Sequence, residues 1–149
     1  IKPGKSRTQP SKSQGISSAN WSIADLPGLS PDDLQLLSDR GIQTTFALLK
    51  LARTRDHQIQ LASDLQIHLR HITKWVALAN LARIPSVGCE HCGLLLHAGI
   101  ASPAQLAQTP IAHLHRQILK LHVSMMQRRD LCPTVDQVDR WIQQARLLS

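Results

Sequence analysis

Residues 26–42 read LPGLSPDDLQLLSDRGI and residues 84–100 read IPSVGCEHCGLLLHAGI, and the two stretches align at an offset of 58. In both, a Pro-led corner precedes an apolar segment that ends in Gly-Ile. Eight inserted residues then raise the offset to 66, at which Trp75 aligns with Trp141. Because a repeat identifies the structural unit, the sequence predicts two similar subunits.

The first unit carries the signals of several helices. Ser30 before Pro31 predicts a capped helix start, and Gly41 predicts its end. Thr44 or Thr45 then caps a second helix, and a third short turn follows at 59–65. The longest helix is predicted from an apolar stripe at Leu65, Leu69, Ile72, Val76 and Ala79, running toward Pro85.

The second unit shows the same order of helices. Thr134 and Gln137 form a capping box before the last helix. Its predicted buried stripe consists of Val135, Val138, Ile142 and Ala145. The predicted segments are 89–98, 103–107, 111–122, 125–130 and 134–148.

Composition agrees with an all-α fold, because Leu and Ala are abundant and β-branched runs are missing. No strand is predicted. The expected architecture is two tandem helix-hairpin-helix-type subunits, at 21–82 and 83–149, packed into one compact domain and preceded by a disordered basic tail at 1–20.

Charge is unevenly spread along the chain. The net charge is +7, and residues 1–20 hold four Lys or Arg and no acid, so the remainder carries only +3. Such a tail suits polyanions but is equally common as a solubilising linker. No apolar run is long enough to cross a bilayer, and three cysteines without a signal segment indicate a cytoplasmic, reducing location. Since Ile1 is not Met, we expect the sequence to begin inside a longer chain.

The doubled Pro-x-apolar corner with its doubled Gly-Ile resembles the helix-hairpin-helix superfamily. Within it, residues 21–149 resemble an uncharacterised cyanobacterial domain family with tandem (SAM-like) hairpins and a Trp in a later helix. The resemblance implies a compact helical fold and no established activity. In DNA-binding members of the superfamily, backbone N–H groups of the hairpin and the following helix N-terminus hold a phosphate.

The second hairpin meets these demands better than the first. The first has Asp25, Asp32 and Asp33 around its corner, and Pro31 removes an amide donor. The second is opposed only by Glu90. Plain chain reversal between two helices is the alternative interpretation. The residues predicted to hold phosphate at the second hairpin are Arg83, Ser86, Val87, Gly88 and Cys89.

Basic residues at helical spacing offer a second route to a polyanion. Arg70 and Lys74, with His71 beside them, are predicted to share one helix face, and Arg116 and Lys120 another. From Arg40 to Arg83, seven Lys or Arg stand against two Asp. Each stripe taken alone also fits an ordinary solvated face.

A metal site is the weaker interpretation of the cysteines. Cys89 and Cys92 have the spacing of zinc ligands, with His91, His97 and Cys132 as possible additions. In the repeat, however, Cys92 aligns with Leu34, which favours a core position, and no second ligand pair is present. We therefore predict no metal and no cofactor.

No catalytic residue is predicted, because phosphate loops, nucleophile elbows and metal helices are missing, so we expect neither an enzyme nor a small-molecule substrate. Trp75 and Trp141 are predicted to be core residues, whereas Trp21 either fastens the tail or anchors a partner. The leading hypothesis is sequence-independent binding of nucleic acid through phosphates. The alternative is an adaptor that docks on a larger protein assembly, favoured by the acidic first hairpin.

Overall fold

The computed structural model describes residues 17–126 and 133–148. These residues confirm the all-α prediction, since they contain helices and no strand, and one isolated bridge pairs Ser22 with Thr44. A 3₁₀ turn at Ile23–Asp25 precedes the helices. The helices are α1 (Pro31–Asp39), α2 (Thr45–Leu51), α3 (Arg55–Leu65), α4 (Leu69–Ala82), α5 (Gly88–His97), α6 (Pro103–Ala107), α7 (Ile111–Met126) and α8 (Val135–Leu148).

Residues 17–20 pack on the domain, although the sequence assigned them to the tail. The Ala19 N–H donates to the Arg83 carbonyl at 2.8 Å. One residue further, the Trp21 indole N–H donates to the Ala82 carbonyl at 2.7 Å. These bonds hold the entering chain against the C-terminal end of α4, so Trp21 has the fastening role. The rest of the predicted tail, residues 1–16, lies outside the described residues.

The starts of α1 and α2 follow the capping rules. The Ser30 hydroxyl accepts from the Asp33 N–H at 3.1 Å, and the Asp33 carboxylate accepts from the Ser30 N–H at 3.0 Å. Thr44 is the cap of α2. Thr45 is fully buried instead, and its hydroxyl accepts from the Trp21 N–H at 3.1 Å. Local side-chain bonds therefore set both starts.

The prediction of one long helix that includes Leu65 is wrong. Leu65 is the last residue of α3, which begins at Arg55 and is longer than the short turn expected there. Gln66 then adopts a left-handed conformation with φ of 58°. His68 starts α4 as a side-chain cap that accepts a first-turn N–H. The stripe of apolar residues continues across this break because both helices face the same core.

Two further details differ in the second half. Helix α7 is continuous to Met126, whereas the sequence predicted an end at 122 and a separate segment at 125–130, of which 127–130 lies outside the described residues. Val135 is 50% exposed and is not part of the buried stripe. No helix in the described ranges is both long and apolar enough to span a membrane.

Local geometry recurs at the offsets that align the sequence with itself. Gly41 and Gly99 both have positive φ, 78° and 94°, at the ends of α1 and α5. Thr44 and Ser102 cap α2 and α6 in the same way. Helices α4 and α8 are both 14 residues long and begin 66 residues apart.

The core is one cluster to which every helix contributes. Trp75 and Trp141 are each 1% exposed, which confirms their predicted core position. Cys92 is likewise fully buried, as its alignment with Leu34 predicts. Helix α4 packs on α2, α3 and α5, while α8 packs on α6 and α7. The solvent face of α4 is therefore bordered by elements of both halves.

Candidate nucleic-acid interface

Three cations converge on one groove along α4. Arg70 and Lys74 lie one helical turn apart on its exposed side, as predicted from their spacing. Arg55, the first residue of α3, reaches the same side, and its Nη1 donates to the Thr73 hydroxyl at 3.3 Å. The Arg70 groove, as we name it, encloses about 480 Å³ and is lined by these residues together with His68, Leu69, Ala77, Leu96 and Ala101.

The Arg70 groove has no acidic lining residue. Among the described residues, one Lys or Arg forms an ion pair with a carboxylate: Arg40 pairs with Asp64 at 2.9 Å. None of the three groove cations has such a partner within that part of the chain. Unpaired like charges around one concave surface raise the local concentration of anions.

Lys74 connects this groove to the first hairpin. Its ammonium nitrogen lies 3.4 Å from the position that a Cβ on Gly28 would occupy. Gly28 has φ of 83° and carries no side chain, so the lysine lies directly against the hairpin backbone. The predicted neighbour His71 faces away and packs its ring 6.1 Å from that of Trp75. His68 lines the groove in its place.

A second groove lies between α2 and the C-terminal half of α4. The Phe46 groove, as we name it, encloses about 530 Å³ and has an apolar floor with a basic rim. Phe46 itself is 39% exposed. Like the Arg70 groove, it has no acidic lining residue. Its floor consists of Phe46, Leu49, Ala52 and Val76, its rim of Lys50, Arg53 and Arg83, and Ser18 and Asn80 complete it.

Arg83 is a rim residue of this groove and not a partner of the second hairpin. Its guanidinium donates to the Asn80 side-chain oxygen at 2.7 Å and to the Ser18 hydroxyl at 3.3 Å. Both acceptors are uncharged, so the arginine keeps its full positive charge at the groove. Its role in binding an anion stays a prediction, and the structure places the side chain at the Phe46 groove.

The second hairpin offers few free amide donors. The Ser86 N–H donates to the Gln144 side-chain oxygen at 2.9 Å, and the Ser86 hydroxyl donates to the same oxygen at 2.7 Å. The Val87 and Gly88 N–H groups both donate to the Ile84 carbonyl at 2.9 Å. A phosphate at this corner would have to displace these bonds, at a cost for each donor left without an acceptor.

The electrostatics of the second hairpin are also unfavourable for phosphate. The cavity beside it is lined by the carboxylates of Asp25 and Glu90 and by no Lys or Arg. Trp21 covers the backbone, since a Cβ on Gly88 would lie 3.0 Å from its ring. We therefore leave Ser86, Val87, Gly88 and Cys89 out of the candidate site. The hairpin joins α4 to α5, and its Ser86 is hydrogen-bonded to Gln144 of α8.

We expect Gly88→Ala to lower the free energy of unfolding by about 2–3 kcal/mol. The alanine would adopt a left-handed φ of 54° and also meet the Trp21 ring at 3.0 Å. Gly41→Ala is the control, because its φ of 78° is the closer to that of Gly88 and nothing lies within 4 Å, so only the backbone cost of about 1–2 kcal/mol applies. Urea unfolding measures both. Equal losses would show that the contact with Trp21 is unimportant.

Arg116 and Lys120 lie apart from both grooves. They are exposed on the side of α7 opposite the buried Leu114 and Ile118, as their spacing predicts. Helix α7 packs against α5 and α8. The structure therefore does not bring this stripe together with Arg70 and Lys74 on one groove.

Burial governs the chemistry of the cysteines. Burial, and next the nearby Asp25 carboxylate, raises the pKa of the Cys89 thiol to about 11. Burial, and next its neighbour Cys89, raises the pKa of the Cys92 thiol to about 12. Both shifts favour the thiol over the thiolate, which is the form that nucleophilic attack needs. Within the described residues no three metal-ligating side chains cluster, and Cys132 lies outside them.

The raised thiol pKa values predict how stability depends on pH. A thiol in the unfolded chain has a pKa near 8.5, below its pKa in the folded protein. The stability that arises from this difference is fully present below pH 8.5 and is lost as the pH rises toward the folded pKa. The free energy of unfolding should fall above pH 8.5, by up to about 1.4 kcal/mol per pH unit for the buried Cys92 thiol and by less for Cys89. Urea unfolding between pH 7 and 10 measures this slope. The slope should be shallower in Cys92→Ala than in the unmodified protein. Parallel plots of the free energy of unfolding against pH for the two proteins would contradict the prediction.

The structure is that of a small all-helical domain with two cationic grooves on one helix. Residues 27–148 match a family model described as "Domain of unknown function (DUF4332)", and the chain belongs to this family. No curated protein and no solved structure matches the sequence at a significant level. The family description assigns no activity, so the resemblance to the helix-hairpin-helix superfamily stays a prediction.

Four groove residues on which the proposals depend were missing from the sequence-based site: Phe46, Lys50, Arg53 and Arg55. Lys50 lies in the last turn of α2, Arg53 in the connection after it, and Arg55 begins α3. Only the packing of α3 on α4 brings Arg55 near Arg70. Phe46 reads in sequence as one more apolar residue of α2. Its exposed fraction of 39% is the signal that separates it from the core, and this fraction depends on the fold.

Proposed function

We propose that this protein is a non-catalytic nucleic-acid-binding protein that holds the phosphate backbone on the solvent face of α4. The observation that carries the proposal is the convergence of Arg55, Arg70 and Lys74 on one groove without an acidic lining residue. Contacts of Lys and Arg to phosphate do not read base identity, so the binding is sequence-independent. The resemblance to the helix-hairpin-helix superfamily also implies a nucleic-acid partner. It implies binding at the hairpin, however, whereas the proposed surface is the solvent face of α4.

Binding to random-sequence DNA tests the proposal. Three phosphate contacts predict that log affinity falls with log salt at a slope of about −3 for duplex and about −2 for single strands. Fluorescence anisotropy of labelled oligonucleotides between about 50 and 200 mM salt measures the slope. A slope near zero, or no micromolar-range binding at the lowest salt, would rule out nucleic acid as the partner.

A second candidate function is an adaptor that docks on a protein. The Phe46 groove favours it, because exposed apolar surface bordered by polar residues is typical of protein interaction sites. Leu51, at the end of the same helix, is also exposed. The adaptor and the nucleic-acid proposal use different grooves, so separate variants test them.

We also infer that the two halves are versions of one helical unit. The capped starts of α2 and α6, the glycine turns after α1 and α5 and the equal lengths of α4 and α8 support this inference. The halves differ in surface chemistry, since both grooves lie on α4. Binding is therefore assigned to the first unit, with α5 forming one border of the Arg70 groove.

A further inference from the structure

We propose that the Phe46 groove is a docking site for an acidic amphipathic helix of a partner protein. This inference rests on the adaptor function and is independent of phosphate binding at the Arg70 groove. Two features of the groove determine which partner fits it. Its floor is aliphatic and aromatic, and its rim consists of cations. An apolar helix stripe flanked by Asp and Glu matches both.

The floor is supplied by two packed helices. Phe46 and Leu49 come from α2, and Val76 comes from α4, which packs against it. Phe46 is 39% exposed, and its backbone N–H donates to the Asn20 side-chain oxygen at 3.1 Å, which ties the first turn of α2 to the entering chain. A groove between two helices is a common seat for a third helix with anchors at i, i+3 or i+4, and i+7.

The rim determines the charge of the partner. Lys50 and Arg53 are exposed, and neither has a carboxylate within ion-pair distance among the described residues. Arg83 completes the rim from the other side and donates only to uncharged oxygens. A neutral or basic helix would leave these cations unpaired, whereas rows of Asp and Glu beside the apolar stripe would pair with them.

A nucleic-acid strand is also anionic, but the floor favours a peptide. Single-strand binders stack successive bases on several aromatic rings. Here Phe46 is the one aromatic residue of the lining, and its neighbours Leu49, Ala52 and Val76 are aliphatic. Aliphatic surface between two helices packs well against Leu and Ile side chains, which gives the groove its selectivity for a helix.

The test uses a pair of synthetic peptides of identical composition. Both contain about 15 residues of Leu, Ala, Glu and Asp with one fluorophore, and only one of them places Leu at i, i+3, i+4 and i+7. Anisotropy should give a Kd on the order of 10 μM for the amphipathic peptide at moderate salt. The scrambled peptide should bind at least about 10-fold more weakly, because it offers charge without an apolar stripe.

Variants then place the peptide on the groove. Phe46→Ala should weaken binding about 10-fold or more, and Lys50→Glu with Arg53→Glu should do the same without changing a buried residue. Arg70→Glu with Lys74→Glu is the matched control and should weaken peptide binding by less than about threefold, through the long-range field alone, while DNA binding falls at least about 10-fold.

Four results would overturn the proposal. They are equal binding of the two peptides, no binding of the amphipathic peptide up to about 1 mM, unchanged affinity in the Lys50 and Arg53 charge reversal, and a loss in Phe46→Ala of DNA affinity alone. The last would make the groove a base-stacking site. Because DNA binding by the same samples reports on the Arg70 groove, failure of this inference is distinguishable from failure of the proposed function.

Discussion

Arg70→Glu combined with Lys74→Glu is expected to lower the affinity for random-sequence DNA by at least about 10-fold at low salt. Each substitution removes one phosphate contact and places a negative charge in its position. The salt slope should shrink by about 2, from about −3 to about −1 for duplex, because two counterions fewer are released on binding. The same loss is expected for every sequence, since neither side chain reads bases.

The matched control is Arg116→Glu combined with Lys120→Glu. It has the same change in net charge and the same i, i+4 spacing on an exposed helix face, but it lies outside the Arg70 groove. We expect this variant to lose less than about threefold, through the long-range field alone. If both double variants weaken binding equally, the protein attracts DNA by overall charge and has no localised interface.

The second large effect concerns stability. Trp141→Ala is expected to lower the free energy of unfolding by about 3–5 kcal/mol. The ring is 1% exposed, its N–H donates to the Ser86 carbonyl at 3.2 Å, and the His91 ring packs 5.0 Å away. Such a loss is a large part of the 5–15 kcal/mol that holds a small domain folded.

Two substitutions bracket this result. Trp141→Phe keeps most of the buried area and should lose only about 1–2 kcal/mol, from the hydrogen bond and the smaller ring. Val135→Ala, on the exposed side of the same helix, should change stability by less than about 0.5 kcal/mol. Urea unfolding followed by circular dichroism measures all three. A Trp141→Ala protein as stable as Val135→Ala would show that α8 does not depend on this contact.

The helices could be predicted from the sequence where local chemistry decides them. Ser30 with Pro31 sets the start of α1, Gly41 ends it, and Thr134 with Gln137 forms the capping box before α8. The break at Gln66 could not be predicted, because it uses a left-handed glutamine and a histidine cap where glycine and Ser or Thr are usual.

The candidate site was only partly predictable for a related reason. Arg70 and Lys74 are one turn apart on a single helix, so their common face follows from periodicity alone. Arg55 joins them only through the packing of α3 on α4, and periodicity carries no information about that contact. At the second hairpin, the Val87 and Gly88 amides are bonded to Ile84 and the Ser86 amide to Gln144, a contact from the last helix that the local sequence does not predict.

We propose the α4 face, and not the second hairpin, as the surface that meets the phosphate backbone. An amide nitrogen–proton NMR titration of the full chain with a short single-stranded oligonucleotide tests it most directly. We expect the largest shift changes on Arg55 and on 69–77, with residues 86–89 unchanged. Shift changes concentrated at 86–89, or none on α4 under conditions where the oligonucleotide binds, would contradict it.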